Sequence, residues 1–477
     1  MSAPRVLIVA SEGMPFVKTG GLADVVGALP KALKEAGVDA AVMMPKHSKI
    51  RREHQDELET VATTTFHLGW REKYLGIQTM EAGGIPYYFI DNEDYFSGAV
   101  YLGGDTENEQ YLYFCKAVCE ALSLIDFSPD ILHLNDWHTG MIPLLVRTQY
   151  AERFEKNVRL LFTIHNIQFQ GMMGFEVMKD MLNIPDFYNT PEFAEAGGCA
   201  NMMKAALVFS DKISTVSPGY AHEIMNAYFG LGMEGILSAR RHDVVGILNG
   251  IDTEEFDPGA DPAILGHFTA ANLTNKRLCK RALRDEFDLD IRLTTPIIGM
   301  VTRLTSQKGL DLVRYALEEL LQEDVAFILL GSGDAAYQDF FHYIAAKYPA
   351  RTGVYIGYDE VLAHRVYAGC DFLLMPSRFE PCGLSQMIAQ RYGTLPIVRK
   401  TGGLVDTVEP YNKFTGEGTG FSFGTFNAHD MMAAVRLALS VYRDKAALRK
   451  LRKNAMLSDN SFKRSAEQYK ALYKSMR

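Results

Sequence analysis

The sequence predicts an α/β protein built of two doubly wound domains. Short apolar runs of strand composition alternate with longer stretches of helical spacing through most of the chain. That rhythm is the mark of parallel sheets covered on both faces. It breaks at Leu248-Asn-Gly-Ile-Asp252 and at the Pro/Gly/Asp-rich connector Asp257-Pro-Gly-Ala-Asp-Pro262, then restarts. The length, 477 residues, suits two or three domains that can each bury a core. The boundary is placed at residue 250, giving domains over 1–250 and 251–461.

In the first half, Arg5-Val-Leu-Ile-Val-Ala10 reads as a strand. Leu22, Val25, Val26, Leu29 and Leu33 then recur at helical spacing, and Gly37 ends that helix. Ala40–Met44, Tyr87–Ile90, Ile131–Leu134, Leu160–Ile164 and Lys212–Val216 read as further strands, with a helix over Gln110–Leu122. The second half offers strands at Pro296–Val301, Val325–Leu330, Val354–Ile356, Phe372–Met375 and Leu395–Val398, and a helix over Leu310–Leu321. A last helix, within 462–477, carries Tyr469 and Tyr473 four residues apart. It either caps the second domain or crosses back to the first.

Composition excludes several classes. Hydrophobic residues make up 47% and charged residues 22%, as in ordinary globular proteins, and the net charge is −9. General binding to nucleic acid or to an anionic membrane needs a basic face, so neither is expected. Any anion site must draw on local cations. No apolar stretch approaches the ~18 residues of a membrane helix, and Val6–Ala10 is too short for a signal-peptide core. The six cysteines contain no CxxC pair, which points to a reducing, cytoplasmic setting rather than a disulfide framework. Cys115 and Cys119 share a helix face and read as small core residues.

Function in such folds sits on the loops at strand ends. Lys18-Thr-Gly-Gly-Leu-Ala-Asp24 follows the first strand and opens a helix. Gly20 and Gly21 permit close backbone approach, the helix start offers free N–H groups, and Lys18 adds a charge, together making an anion cradle. Arg303-Leu-Thr-Ser-Gln-Lys-Gly309 is its counterpart in the second half. Arg303 and Lys308 on one short loop suit a diphosphate. In Arg378-Phe-Glu-Pro-Cys-Gly-Leu-Ser385 a carboxylate, Glu380, stands where an apolar strand hands over to a helix. His133-Leu-Asn-Asp-Trp-His138 and Thr163-Ile-His-Asn166 close strands of the first half with a lining suited to sugar hydroxyls and a ring face. The alternative there is a metal held by His133, Asp136, His138 and His165. Against it stand the absence of HExxH and the position of His133 inside a strand, where a satisfied core histidine is expected. Asn249, Gly331-Ser-Gly-Asp334, Tyr358 and Thr401-Gly-Gly403 are further strand-end candidates, with Tyr358 placed to stack on a base. No GxGxxG follows a strand and no Gly-x-Ser-x-Gly elbow occurs, which argues against dinucleotide oxidoreductases and serine hydrolases.

With these stretches in hand, KTGGLAD, HLNDWHTG, TIHN, LNGID, RLTSQKG and RFEPCGLS together resemble the bacterial glycogen synthase and plant starch synthase family, in family order over nearly the whole chain. The resemblance implies two Rossmann-like domains facing across a cleft, of the GT-B type, with 1–250 on the acceptor side and 251–461 binding the nucleotide sugar. It implies transfer of glucose from ADP-glucose to the non-reducing end of an α-1,4-glucan with retention. No cofactor and no metal are implied, ADP-glucose being a substrate. Motif by motif, Lys18 resembles the donor-binding lysine, with Gly20 and Gly21 beside it. Arg303 and Lys308 resemble the diphosphate pair, and Gly383, Leu384 and Ser385 the helix start at the distal phosphate. Glu380 corresponds to the residue facing the transferred glucose. Asp136, His165, Asn166 and Asn249 correspond to the groups around its hydroxyls and anomeric centre. Cys382 stands at the family's EPCGL position as a structural residue or sugar contact. Many related transferases carry a second Glu eight residues after the first. Here that position is Ile388, as the starch synthase type implies. Retention then proceeds by same-face attack, favoured in the absence of a second carboxylate, or by double displacement. The competing readings are a transferase using UDP-glucose or a small acceptor, and a catalytically silent sugar- or nucleotide-binding protein.

Overall fold

A computed structural model describes residues 3–154 and 158–477. The chain forms two compact units: Met1–Asn249 with Phe462–Arg477, and Gly250–Ser461.

Unit 1 contains strands β1 (Arg5–Val9), β2 (Asp39–Pro45), β3 (Glu59–Leu68), β4 (Arg71–Ala82), β5 (Ile85–Asp91), β6 (Ile131–Asn135), β7 (Arg159–Ile164), β8 (Met172–Met173), β9 (Glu195–Ala196), β10 (Cys199–Asn201), β11 (Lys212–Thr215) and β12 (Val244–Gly246). Its main sheet runs β12-β11-β7-β6-β1-β2-β5-β4-β3, while β8, β10 and β9 form a small antiparallel sheet. From β12 to β5 the main sheet is parallel, as expected.

Its far edge departs from the all-parallel expectation. β3, β4 and β5 form an antiparallel meander, turned by Gly69-Trp70 and Gly83-Gly84. Gly83 and Gly84 both have positive φ, 58° and 77°, the geometry a tight hairpin needs. β3 faces solvent along most of its length and is rich in Thr, so it lacks the apolar run by which the other strands announce themselves.

Unit 2 contains β13 (Ile297–Val301), β14 (Ala326–Gly331), β15 (Thr352–Ile356), β16 (Phe372–Met375), β17 (Leu395–Arg399) and β18 (Phe421–Phe423). They form one parallel sheet in the order β15-β14-β13-β16-β17-β18. The main core lies against the helices Leu310–Leu320 and Ala428–Arg443, and a second cluster joins strand residues Ile297 and Ile328 to Val366 of the helix Glu360–Gly369.

The helix Phe462–Met476 belongs to unit 1, where it packs on the helix Gly21–Glu35. Tyr469 and Tyr473 are buried in the same core as Val6, Val25 and Leu29. Tyr473 Oη lies 2.8 Å from His133 Nδ1, and His133 Nε2 lies 2.6 Å from Thr163 Oγ1. His133 thus has both ring nitrogens bonded inside the core. Burial pushes its pKa down to about 3.

In the parallel part of each sheet the strand order reverses once, between β1 and β6 in unit 1 and between β13 and β16 in unit 2. Open α/β sheets bind ligands beyond the carboxyl ends of the strands at such a reversal. The loops leaving these four strands carry the KTGG, HLNDWH, RLTSQKG and RFEPCGLS motifs.

Candidate functional site

In unit 2, a cavity of about 160 Å³ opens at the β13/β16 reversal. It is lined by Arg303, Lys308, Ser377 and Ser385 among residues of the two strands. Local backbone demands explain how RLTSQKG and RFEPCGLS meet. Gly309 has φ +70°, and a Cβ there would lie 2.0 Å from the carbonyl oxygen of Pro376. Only glycine lets the two loops approach so closely. Arg378 N–H then donates to Gln307 O at 2.8 Å, and Gln307 Nε2 to Phe379 O at 3.3 Å. A third loop joins them, since Gly403 N–H donates to Glu380 O at 3.0 Å and a Cβ on Gly403 would strike Cys382.

This arrangement sets Lys308 on Glu380. Nζ lies 3.0 Å from Oε1 and 2.7 Å from Oε2, while Ser377 Oγ–H donates to Oε2 at 2.9 Å. Glu380 is 5% exposed. A buried carboxylate needs such partners. The sequence reading assigned Lys308 to a diphosphate and Glu380 to a sugar; here the two are ion-paired. Ser385 opens the helix Ser385–Arg391, with Leu384 at its N-cap, and accepts a hydrogen bond from Tyr367 Oη at 3.1 Å. Gly383 has φ +76°, the turn that leads into this helix. Cys382 is buried beside it. Tyr358 is 71% exposed and stands outside the cavity lining.

In unit 1, Asp136 follows β6 with φ +56°, an uncommon conformation for a residue with a side chain. Its Oδ1 accepts from the backbone N–H groups of His165 (2.7 Å) and Asn166 (3.3 Å), so it ties the HLNDWH loop to the TIHN loop. Burial pushes its carboxyl up to about 7; those two bonds pull it down and nearby Glu12 raises it further. His165 Nε2 lies 2.9 Å from Asn135 Oδ1. Asn135 Nδ2 donates to Val9 O and His133 O, which makes its Oδ1 the acceptor and places the His165 proton on Nε2. Burial pushes His165 down to about 3, so it stays neutral and offers Nδ1 as an acceptor. His138 is buried under Tyr101 and Trp137, likewise at about 3. Of the residues in the metal alternative, His133 is bonded to Tyr473 and Thr163 inside the core. Among the described residues no three His, Cys, Asp or Glu side chains gather as a metal site.

The KTGG loop is held from below by a residue the motif reading passed over. Glu12, 2% exposed, accepts from both Thr19 N–H (2.5 Å) and Thr19 Oγ–H (2.6 Å). Burial raises its pKa and the Thr19 bonds oppose that rise. Gly20 is the N-cap of the helix Gly21–Glu35; a Cβ there would come 3.6 Å from Glu12 Oε1. Lys18 Nζ lies 2.7 Å from Asp24 Oδ1 inside its own motif, so its charge is partly balanced locally. Asn249 is buried, and its Oδ1 has no hydrogen-bond partner among the described residues. Glu12 and Ser377 each had a signal in the sequence, a polar residue just beyond a strand end, but only their contacts distinguish them from solvated loop residues.

Comparison with known proteins settles the kinship. Residues 5–239 match the model for the starch synthase catalytic domain, and residues 283–457 match glycosyl transferases group 1. A glycogen synthase from Geobacillus thermodenitrificans is 50% identical over 473 residues, 99% of this chain and 98% of the relative. The chain belongs to the glycogen synthase family. A second glycogen synthase, from Bacillus cereus, is 48% identical over 99% of both chains. Among solved structures, the catalytic domain of starch synthase IV from Arabidopsis thaliana, bound to ADP and acarbose, superposes with a TM-score of 0.93. It is 33% identical over 100% of this chain and 99% of its own. Sucrose-phosphate synthase from Thermosynechococcus elongatus, 18% identical with a TM-score of 0.63 over 99% of this chain and 98% of its own, shares the fold. The architecture of the family is therefore that of GT-B glycosyltransferases, with two Rossmann-like α/β units. No helix among the described residues is long and apolar enough to cross a membrane.

Proposed function

We propose that the chain transfers glucose from ADP-glucose to the non-reducing end of an α-1,4-glucan, with retention at the anomeric carbon. The observation that carries this is the unit 2 cavity, where two cations and a serine hydroxyl stand beside a buried carboxylate. Relatives named glycogen synthase at about half identity, and a starch synthase bound to ADP and acarbose, support the choice of donor and acceptor.

The reaction breaks the bond between the anomeric carbon and the diphosphate. Positive charge grows on the sugar ring and negative charge on the leaving phosphate oxygen. Arg303 and Lys308 stabilise the phosphate, with the Ser385 hydroxyl and the backbone N–H groups at that helix start. Glu380 faces the glucose and favours positive character in its ring. In unit 1, His165 accepts a hydrogen bond from a sugar hydroxyl at Nδ1 or holds the hydroxyl through its carbonyl. Asn249 offers its unpartnered Oδ1 to another hydroxyl. Asp136 holds the His165 and Asn166 backbone in place. Lys18, with Gly20 and Gly21, serves the donor's phosphates. The sequence places no second carboxylate beside Glu380, Ile388 standing where many related transferases carry one, so attack on the same face as departure is the proposed route.

The deciding measurement is ADP release on mixing the chain with ADP-glucose and glycogen, with UDP-glucose as control. Release that requires glycogen and prefers ADP-glucose is expected. Silence with both donors, or preference for UDP-glucose, overturns the reading.

A further inference from the structure

Glu380 is held by two donors, and only one of them is free of other duties. Lys308 Nζ spans both carboxylate oxygens, and it also lines the cavity with Arg303 and Ser385. An ammonium has three N–H donors but a single charge. A diphosphate in that cavity therefore competes with Glu380 for Lys308. Ser377 is different. Its hydroxyl carries no charge, is 1% exposed, and donates to Glu380 Oε2 at 2.9 Å. Its backbone has little room to shift: Gly309 abuts the preceding Pro376, Arg378 N–H is bonded to Gln307 O, and Arg399 Nη1 donates to Arg378 O at 2.5 Å. The bond from Ser377 thus persists when the lysine's charge is drawn away.

We propose that Ser377 is a positioning residue for glucosyl transfer, keeping the Glu380 carboxylate aimed while Lys308 turns to the phosphates of the bound donor. This rests on the function proposed above. It implies a division of labour among four side chains of one cavity. Arg303 and Ser385 serve the phosphates alone, Ser377 serves Glu380 alone, and Lys308 passes between them. In the unliganded chain Lys308 neutralises Glu380; in the donor complex the carboxylate regains its full charge next to the sugar. A defect at Ser377 must then appear after the donor is bound, in kcat, and not in affinity for ADP.

The test uses the full chain and three substitutions, Ser377→Ala, Ser377→Thr and Glu380→Gln, read by kcat for ADP release and by calorimetric Kd for ADP. Loss of one hydrogen bond to a charged group corresponds to a fall in kcat of about tenfold or more. Ser377→Ala is expected to show that fall with ADP Kd within about twofold of wild type. Ser377→Thr, which keeps the hydroxyl, recovers most of the rate. In a Glu380→Gln background, Ser377→Ala costs little more, because the group it positions has already lost its charge. Should Ser377→Ala not fold, Ser377→Cys places a weaker donor at the same point and the same kcat-against-Kd split is read there. An unchanged kcat, or a parallel loss of ADP affinity, overturns the proposal while leaving the function intact. So does a further full tenfold loss on top of Glu380→Gln. A wild-type chain that releases no ADP from ADP-glucose overturns the function, and this inference with it.

Discussion

Substituting Lys308 by alanine tests the ion pair at the centre of unit 2. The Lys308 side chain is 16% exposed and that of Glu380 7%, and Nζ reaches both carboxylate oxygens. Removing one partner of a buried pair typically costs about 3–5 kcal/mol, most of it the cost of an uncompensated charge. Water has some access to Lys308, and Ser377 still donates one bond, so the lower end applies, about 3 kcal/mol. Glu380→Gln in the same background removes the stranded charge and should return about half of that loss. Trp70 and Trp137 both lie in unit 1, so tryptophan fluorescence reports the wrong unit. The assay is hydrogen exchange over residues 372–391, which span β16, the Glu380 loop and the helix that follows. Exchange should accelerate by about two orders of magnitude in Lys308→Ala and recover partly in the double variant. Protection unchanged within about threefold in Lys308→Ala, or double-variant losses that simply add, would refute the claim that the lysine compensates the carboxylate.

Glu380→Ala should reduce kcat by roughly 10²-fold or more without weakening ADP binding, because its charge is used as the sugar bond breaks and its loss leaves Lys308 free for the phosphates; steady-state kinetics with calorimetry checks this. Gly309→Ala places a side chain 2.0 Å from Pro376 O at a positive φ, so a drop in melting temperature and loss of donor kcat/KM are expected together. Acidification should destabilise the fold. His133, His138 and His165 are held near 3 and His47 near 4, below their ordinary 6.5, so unfolding takes up four protons as pH falls from about 6 toward 4.5. Asp136, held near 7, gives one proton back on unfolding in that window. The net of three corresponds to at most about 4 kcal/mol per pH unit, stability rising with pH, and urea midpoints at pH 7, 6 and 5 would show it. EDTA should leave ADP release unaffected, checked against an untreated control.

Much of this molecule is legible in one dimension because parallel strands covered on both faces are short unbroken apolar runs. Val6–Val9, Phe372–Met375 and Leu395–Val398 could be located that way, and the polar residues after them follow from the chain itself. The antiparallel edge was not legible by the same signal. β3 presents its Thr side chains and Glu59 to water and so has no apolar run. The residues 462–477 carried their helical spacing plainly, with Tyr469 and Tyr473 on one face. Which core that face enters depends on a partner 340 positions away, His133, and no local pattern encodes such a distance.

The same division holds at the site. Side-chain chemistry and its place at a strand end belong to local sequence: cations in RLTSQKG, a carboxylate in RFEPCGLS, glycines in KTGG. The order in which strands enter the sheet is a property of the assembled layers, and it alone makes the ends of β13 and β16 neighbours. Lys308 and Glu380, 72 residues apart, become an ion pair for that reason, with Gly309 allowing the final approach. Composition and periodicity set which groups each loop can offer; close packing of one strand beside another determines which of them meet, because hydrogen bonds and ion pairs act over about 3 Å and the chain covers that gap only when folded.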